Sequence, residues 1–436
     1  MRALLVLALV LVPTAASAQP FFRAPIGGQG SSLVSASHHD TIADATADGG
    51  SVLAVHFDSD VAIGGQWVRS LGAGRTVALV RVDRAGRVLW IRRFAEEAGT
   101  GQPHLRSVSR IDALPDGGAV IGGTFGFGGD DQGALMRVDA AGRTRWLLRP
   151  SVTTDYSRFV SALTPSGSMI VLGDFFRGRF QLPGAEAWSS QQRFTSFLAE
   201  VDLGTGQVRW ARRILGEGRA LEVAPDGTIL VAGQFQRQLR VGRSTLRGVG
   251  GERDVFVARY AADGTPRDAI AFGTETEDHP RGIAVQPGGG FAVLIASDHP
   301  GGTESHTLLG YDAEIRPAFQ QPLGPRAFLA RSRGAGPILV ALPGPARQVS
   351  IRGRPYEVVD HMELVRVSAQ GARISRRPIQ FPGVGLLMRS LHARFEGGRV
   401  SLSGAMTAGR TSESFQVWLD APAAPRTVVA TVGSVL

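Results

Sequence analysis

The chain has 436 residues with 57 Gly, 24 Pro and no Cys, and its 47 basic residues, all Arg, outnumber 38 acidic ones to give a formal net charge of +9. The lack of Cys excludes disulfides, thiolate metal sites and a cysteine nucleophile, and so modest a positive excess does not indicate a nucleic-acid partner. The 43% of hydrophobic residues suffices for a large core, whereas the glycine content argues against a helical bundle.

The first 18 residues have the pattern of an export signal. Arg2 gives a positive start, residues 4–12 are apolar, and residues 16–18 (Ala-Ser-Ala) form a cleavage site with small residues. The apolar run is about half the ~20 residues that a transmembrane helix needs, and no later stretch is long enough. We expect a mature chain from Gln19 that acts in the periplasm, at the cell surface or in the medium.

Glycine turns recur through the remaining chain. Each turn lies between two short apolar runs, which is typical of a hairpin loop. A second turn, of the Asp-x-x-Gly type, follows in most units, and in three units a Trp comes four residues after its Gly, at Trp90, Trp146 and Trp210. The marker glycines of the first turn are Gly49, Gly117, Gly167, Gly227, Gly288, Gly334 and Gly397.

Each unit therefore reads as four antiparallel strands, and seven such sheets in a ring predict an all-β fold, a seven-bladed β-propeller. The blades are expected to begin near residues 40, 106, 158, 219, 281, 327 and 389, so that 19–39 is an N-terminal extension and 40–436 a single domain. The fifth and sixth units lack the Trp and a clear Asp-Gly turn, so six or eight blades remain open. Residues 27–38 are a candidate closing strand, although the last unit already reads as four strands. An open solenoid or two sandwiches are the alternatives.

Two repeat families resemble these units. Residues 224–235 and 254–264 look like the bacterial β-propeller repeats called SBBP and delta-60, and Gly-x-Phe recurs at 123–125, 173–175 and 233–235. That resemblance covers roughly residues 40–275 and implies an exported or surface protein, mostly with no assigned activity.

Residues 202–210 are similar to the tryptophan-docking repeat of quinoprotein dehydrogenases and of outer-membrane assembly propellers. Those enzymes typically use an Asn metal ligand and often a vicinal disulfide, and this chain has neither Asn nor Cys. A non-catalytic relative of that family remains open.

Candidate chemistry is sparse. The densest group is Glu275, Glu277, Asp278 and His279, with His299 and His306 in the loop of the next blade; Glu277 and His279 could act as acid and base, and Asp278 and His279 could bind a metal. Asp130 and Asp131 could take part in a calcium site, and no other cofactor is expected. The chain contains no Gly-x-Ser-x-Gly elbow, phosphate loop or His-Glu-x-x-His motif.

The long loops between second and third strands, at 176–193 and 235–253, are the expected contact surface because they are rich in Arg and aromatic residues. The sequence therefore predicts an exported, monomeric, non-catalytic propeller that binds a protein or an anionic polysaccharide through these loops. A hydrolase or lyase with its site at the channel mouth is the alternative. For Phe180 and Leu182, filling of the space between blades is the other interpretation. The predicted contact residues are Arg177, Arg179, Phe180, Trp188, Arg237 and Arg240.

Overall fold

The computed structural model describes residues 21–26 and 42–420, except for 58–59, 64, 71–75, 84–86, 95–103, 128–129, 153–156, 176–177, 192–194, 215, 250–251, 300–301, 333, 352–353, 381–384, 388–391, 397–398 and 409–410. Within these ranges the chain forms strands and turns and no helix, so no described helix could cross a membrane. The predicted export signal and the candidate closing segment 27–38 lie outside the described residues.

Four-stranded antiparallel sheets follow one another along the chain. β1 (Phe21–Ile26) precedes them. Sheet 1 contains β2 (Ile42–Ala45), β3 (Ser51–Phe57), β6 (Thr76–Val82) and β7 (Val88–Phe94), with an inserted hairpin of β4 (Val61–Ile63) and β5 (Gln66–Val68). Sheet 2 contains β8 (His104–Ala113), β9 (Ala119–Phe127), β10 (Asp130–Val138) and β11 (Thr144–Leu148), followed by the short β12 (Ser151–Val152). Sheet 3 contains β13 (Ser157–Leu163), β14 (Met169–Phe175), β17 (Thr195–Val201) and β18 (Val208–Ile214), with an inserted hairpin of β15 (Gly178–Gln181) and β16 (Ala187–Ser190).

The second half repeats this order. Sheet 4 contains β19 (Glu217–Val223), β20 (Ile229–Phe235), β23 (Asp254–Tyr260) and β24 (Pro266–Phe272), with an inserted hairpin of β21 (Gln238–Val241) and β22 (Ser244–Arg247). Sheet 5 contains β25 (Asp278–Val285), β26 (Phe291–His299), β27 (Thr303–Tyr311) and β28 (Pro317–Gly324). Sheet 6 contains β29 (Phe328–Leu329), β31 (Ile338–Pro343), β34 (His361–Val367) and β35 (Arg373–Gln380), next to β30 (Arg331–Ser332) and an inserted hairpin of β32 (Arg347–Ile351) and β33 (Arg354–Val359).

The terminal sheet joins both ends of the described chain. It contains β36 (Gly385–Leu387), β37 (His392–Glu396), β38 (Arg399–Ala408) and β39 (Thr411–Asp420), and β1 pairs antiparallel with β39. In the described residues the last unit thus has three successive hairpin-paired strands of its own, and its outer neighbour comes from residues that the sequence had placed in an extension.

The first strands of the sheets contact one another in order. β2 contacts β8, β8 contacts β13, β13 contacts β19, β19 contacts β25, and β25 contacts β29 and β30. β30 pairs with β37 in parallel, and β37 contacts β2. The space that these first strands border is called the channel.

Turn chemistry explains the boundaries of the strands. Gly49, Gly117, Gly167 and Gly227 have φ values of 81–84°, which side chains other than Gly rarely adopt. Each turn connects a first strand to a second strand that is buried on both faces, as in β3, β14 and β20. Burial by two neighbouring sheets accounts for the consecutive apolar residues in the sequence. The predicted all-β chain of four-stranded antiparallel sheets is confirmed.

Aromatic rings connect neighbouring sheets. The rings of Trp90, Trp146 and Trp210 cover the turn glycines of the next sheet, where a Cβ on Gly142, Gly206 or Gly264 would come within 3.0 Å of the ring. The indole nitrogens of Trp90 and Trp146 also donate to backbone oxygens of the next sheet, 2.7 and 2.8 Å away. Sheet 5 has no Trp at this place, and the ring of Phe319 covers Gly371 instead.

Candidate functional site

The first strands place charged side chains at one level of the channel. The shared position is five residues before the turn glycine, or before Gly336 in the sixth unit. These side chains lie near the end of the sheets that carries the connections between first and second strands, here called the turn face. The opposite end, which carries the connections between second and third strands, is called the loop face. The residues at this position are Asp44, Asp112, Glu222 and Arg331.

Arg331 reaches across the channel. Its Nε lies 2.7 Å from Oε1 of Glu222, and its Nη2 donates to the backbone oxygens of Leu221 (3.0 Å) and Ser161 (3.2 Å). A side chain from the sixth unit thereby contacts sheets 3 and 4. The channel is spanned by protein atoms at this level.

Arg110 and Arg394 complete the group. Nη2 of Arg110 lies 2.6 Å from Oδ1 of Asp112 and 3.1 Å from the backbone oxygen of Ser161. Arg394 forms an ion pair with Asp44 and lies 3.6 Å from Asp112. The group therefore contains three carboxyl groups and three guanidiniums. We call Asp44, Arg110, Asp112, Glu222, Arg331 and Arg394 the channel cluster.

Burial and the charges within the channel cluster shift the pKa values of its own carboxyl groups. Burial acts to raise the pKa of Asp112, but the charges of Arg110 and Arg394 and a hydrogen bond from Ser161 lower it below the usual range. Burial raises the pKa of Glu222 to about 8, with Arg110 and Arg394 opposing it. The contact with Arg331 also favours the carboxylate form. Sequence reasoning missed this cluster, although Asp44, Asp112 and Glu222 each precede a turn glycine by five residues, which was a usable signal.

A second polar network lies at the loop face, at the other end of β19. Glu217 forms an ion pair with Arg253 (3.3 Å), whose Nε lies 3.4 Å from Oε1 of Glu277. Nε2 of His279 lies 3.9 Å from Oε1 of Glu277 and 3.6 Å from Oδ2 of Asp298. The structure thus brings together two predicted residues, Glu277 and His279, and adds Asp298. We call these five residues the loop-face network.

The buried Gln234 orients the ring of His279. Its Nε2 donates to the backbone oxygen of Asp278 (2.8 Å) and lies 3.0 Å from Nδ1 of His279, while its Oε1 accepts from Nε of Arg219 (3.3 Å). These partners fix which end of the amide carries the hydrogens, so Nδ1 of His279 accepts. The neutral ring then carries its proton on Nε2, facing the two carboxylates.

This tautomer bears on metal binding. Glu277, His279 and Asp298 offer ligand atoms within 4.8 Å of one another. A metal ion would need the lone pair on Nε2, which would place a proton on Nδ1 against the Gln234 amide hydrogens. The ring therefore presents an N–H group, not a free lone pair, towards the two carboxylates, which does not favour metal binding.

The other predicted site residues do not converge. Asp278 is buried and accepts from the backbone nitrogen of Thr274 (2.6 Å) and from the Ser297 hydroxyl, on a different side from the loop-face network. Glu275 is exposed, His299 contacts Ser305, and His306 contacts Ala327. Asp131 is exposed and lies 2.5 Å from Arg106, and nothing is described for the Asp130 side chain.

One predicted contact residue is wrong. Phe180 is fully buried, with its ring stacked on Phe175 (centroids 5.0 Å apart) and Phe197 (4.5 Å), so it cannot meet a partner. Leu182 is equally buried, in agreement with the alternative interpretation. Trp188 is half-buried and packs against Phe180.

The remaining predicted contact residues lie on the inserted hairpins. Arg179, Arg237 and Arg240 are exposed, and Arg177 lies outside the described residues. These hairpins (β4–β5, β15–β16, β21–β22 and β32–β33) all lie between second and third strands. They therefore leave their sheets at the loop face. The β21–β22 hairpin then lies along the outer strand β24, because its turn residue Gly242 is next to Pro266, the first residue of that strand.

Comparisons with known proteins agree with the fold. Residues 224–266 match the family model described as a domain of unknown function, DUF5122, beta-propeller. No curated protein matches the chain in sequence. The chain is similar to a protein of unknown function from Bacteroides caccae (13% identity, 69% of this chain and 89% of that chain, TM-score 0.36). It is also similar to a variant of the Synechocystis apocarotenoid oxygenase (11%, 88% and 89%, 0.45) and to the Pyrococcus horikoshii acylaminoacyl peptidase (9%, 70% and 45%, 0.41).

These TM-scores are below 0.5, so we derive nothing from the three structures. The matched segment coincides with β20, β23 and the turns around them. The prediction of a β-propeller is thereby confirmed, whereas the SBBP and delta-60 type stays a prediction. Residues 224–266 are similar to a β-propeller family of unknown function.

Proposed function

We propose that the protein is an exported, non-catalytic β-propeller that binds a partner macromolecule through its loop face. The observation that carries this proposal is the placement of four inserted hairpins at that face. Loops that project from a rigid scaffold are where binding functions concentrate. The turn face offers less, because the channel cluster spans the channel there.

The proposal includes a closed ring of seven blades. Six blades are sheets 1 to 6, and the seventh is formed by β37, β38, β39 and β1. The contact of β37 with β2 and the ion pair between Arg394 and Asp44 support closure. Deletion of residues 21–26 should then lower the unfolding temperature by more than deletion of the β4–β5 hairpin, since it exposes a strand edge. Equal effects of the two deletions would contradict ring closure.

A non-catalytic role is supported by the contacts that the candidate residues make within the protein. Asp278 is held by Thr274 and Ser297, and His279 is held by Gln234 and the carboxylates of the loop-face network. Each carboxyl group of the channel cluster lies against a guanidinium. These candidate groups therefore have structural partners within the protein.

Capture from envelope extract tests the binding role. The wild-type protein is compared with a variant in which residues 237–248 are replaced by two glycines. Gly248 donates to the backbone oxygen of Arg237 at 2.8 Å, so the two ends of the deleted hairpin are already adjacent. A variant without the β4–β5 hairpin is tested as a second deletion at the loop face. If neither deletion, nor the two together, changes what is captured, the loop-face assignment is wrong.

A hydrolase or lyase remains the second candidate. It is favoured by the convergence of Glu277, His279 and Asp298 at the loop face. A histidine whose Nε2 lies 3.6 and 3.9 Å from two carboxylate oxygens is suited to proton transfer. The double variant Glu277→Ala/His279→Ala should then lose all activity toward polysaccharide and peptide ester panels, and an inactive wild-type protein would exclude this candidate.

A further inference from the structure

The β21–β22 hairpin of blade 4 has one apolar and one cationic face. Leu239, Val241 and Leu246 are buried and belong to the core of sheets 3 and 4. The alternating residues of both strands point outward and are largely exposed. The outward residues are Gln238, Arg240, Thr245 and Arg247.

The register places the arginines side by side. Gln238 lies opposite Arg247, and Arg240 lies opposite Thr245. Arg240 and Arg247 are therefore diagonal neighbours, about 7–8 Å apart at Cα. Arg243 in the connecting turn is also exposed. We call Arg240, Arg243 and Arg247 the hairpin arginines.

Among the described residues, the hairpin arginines have no acidic partner, whereas exposed arginines of the turn face do. Residues 236–249 contain no Asp or Glu, and no described carboxylate forms an ion pair with these side chains. On the turn face, by contrast, Arg87, Arg143 and Arg316 each contact an Asp four residues earlier, at 2.7, 2.9 and 2.8 Å. Like charges held side by side without a counterion attract a polyanion.

The side chains on the outward face of the β21–β22 hairpin limit the class of macromolecule that it can bind. Its outward side chains are all polar, so it has no apolar group to insert among lipid tails and no aromatic ring on which a base could stack. The exposed Val249 lies beyond the hairpin, in the return to β23. Gln238 and Thr245 can hydrogen-bond hydroxyl groups between the charges. The face is flat and two strands wide, which suits an extended chain.

We propose that the hairpin arginines bind the carboxylates of an acidic polysaccharide. This inference rests on the proposed binding function and names its partner class. Arginine pairs with carboxylates through parallel N–H donors, and successive uronate units along a chain would meet successive arginines. Binding through several such contacts weakens as salt is added.

Two triple variants test the proposal. Arg240→Gln/Arg243→Gln/Arg247→Gln removes the hairpin arginines, and the matched control Arg87→Gln/Arg143→Gln/Arg316→Gln removes three exposed arginines from the turn face. Both lower the formal net charge by three. The full-length mature protein is titrated with polygalacturonate at low and physiological salt. Dextran, vesicles containing phosphatidylglycerol, and duplex DNA are the comparison probes.

The hairpin variant should bind polygalacturonate about tenfold to a hundredfold more weakly, as expected for three exposed ion pairs, and the control variant should stay close to wild type. Dextran should not bind. Equal losses in both variants, no binding by wild type, or tighter hairpin-dependent binding of vesicles or DNA would each overturn the proposal. If the variant still captures the envelope partner that the deleted hairpin loses, only the polysaccharide assignment fails. If no hairpin deletion changes capture, the proposed function fails as well.

Discussion

Replacement of Arg331 by Met should destabilise the protein strongly because it removes the cation from a buried ion pair. The side chain of Glu222 is 5% exposed, and its Oε1 lies 2.7 Å from Nε of Arg331. The substitution also removes the donors to the backbone oxygens of Leu221 and Ser161. Removing one partner of a buried ion pair costs about 3–5 kcal/mol of the free energy of unfolding.

The stability of both proteins should fall as pH rises. Burial raises the pKa of Glu222 from 4.5 to about 8 in the wild type, and removal of the Arg331 cation should raise it further in the variant. A raised carboxyl pKa stabilises the fold fully below pH 4.5, where both states are protonated, and that stability is lost as pH rises toward 8. The slope is about 1.4 kcal/mol per pH unit, so Glu222 should cost wild type and variant alike up to about 4 kcal/mol between pH 5 and pH 8, and the additional loss of the variant should grow above pH 8.

Urea unfolding at pH 5 and pH 8 measures the effect. The matched control is Arg87→Met, since Arg87 also lies 2.7 Å from its carboxylate but is 82% exposed, and it should cost at most about 1 kcal/mol. Adding Glu222→Gln to Arg331→Met should recover most of the stability at pH 8, because no charge is then buried alone. A variant whose stability does not fall between pH 5 and pH 8, or equal losses for the buried and exposed arginines, would refute the reasoning.

Other predictions concern single residues. Gly206→Ala would place a Cβ 2.8 Å from the ring of Trp146, whereas Gly184, also with a φ of 75°, has nothing within 4 Å. Thermal unfolding should show that Gly184→Ala lowers the free energy of unfolding by about 1–2 kcal/mol, because of the backbone conformation alone. Gly206→Ala should lower it by about 1–3 kcal/mol more, because of the clash with the ring. Burial raises the pKa of Asp254, so its stabilising effect is present below pH 3.8 and lost as pH rises; Asp254→Asn should unfold at a higher urea concentration than wild type at pH 7 and lose that advantage near pH 3. Zn²⁺ should bind wild type no more tightly than His279→Ala in calorimetry, and a stoichiometric site lost in the variant would contradict the tautomer.

Local chemistry made the strands predictable. The turns need a residue with a positive φ, and Gly117 and Gly227 adopt it. The recurrence of such glycines between apolar runs therefore located the hairpins without any tertiary information. The candidate site was less predictable. Glu277 and His279 were found because they are close in sequence, whereas Asp298 joins them only through the pairing of β25 with β26.

Long-range packing decided the rest. Arg331 and Glu222 are 109 residues apart and meet only because the first strands follow one another around the channel. Phe180 looked like a contact residue, and only its packing against Phe175 and Phe197 buries it. Phe319 takes over the place of a Trp, since any large ring can cover the glycine of the next turn.

The sequence by itself therefore determined where strands begin and end, because turns and apolar runs depend on neighbouring residues. Only the tertiary structure decided which strand completes the terminal sheet, which charges meet in the channel and which loop residues remain exposed. Those outcomes depend on pairings between residues tens to hundreds of positions apart, which no local pattern encodes.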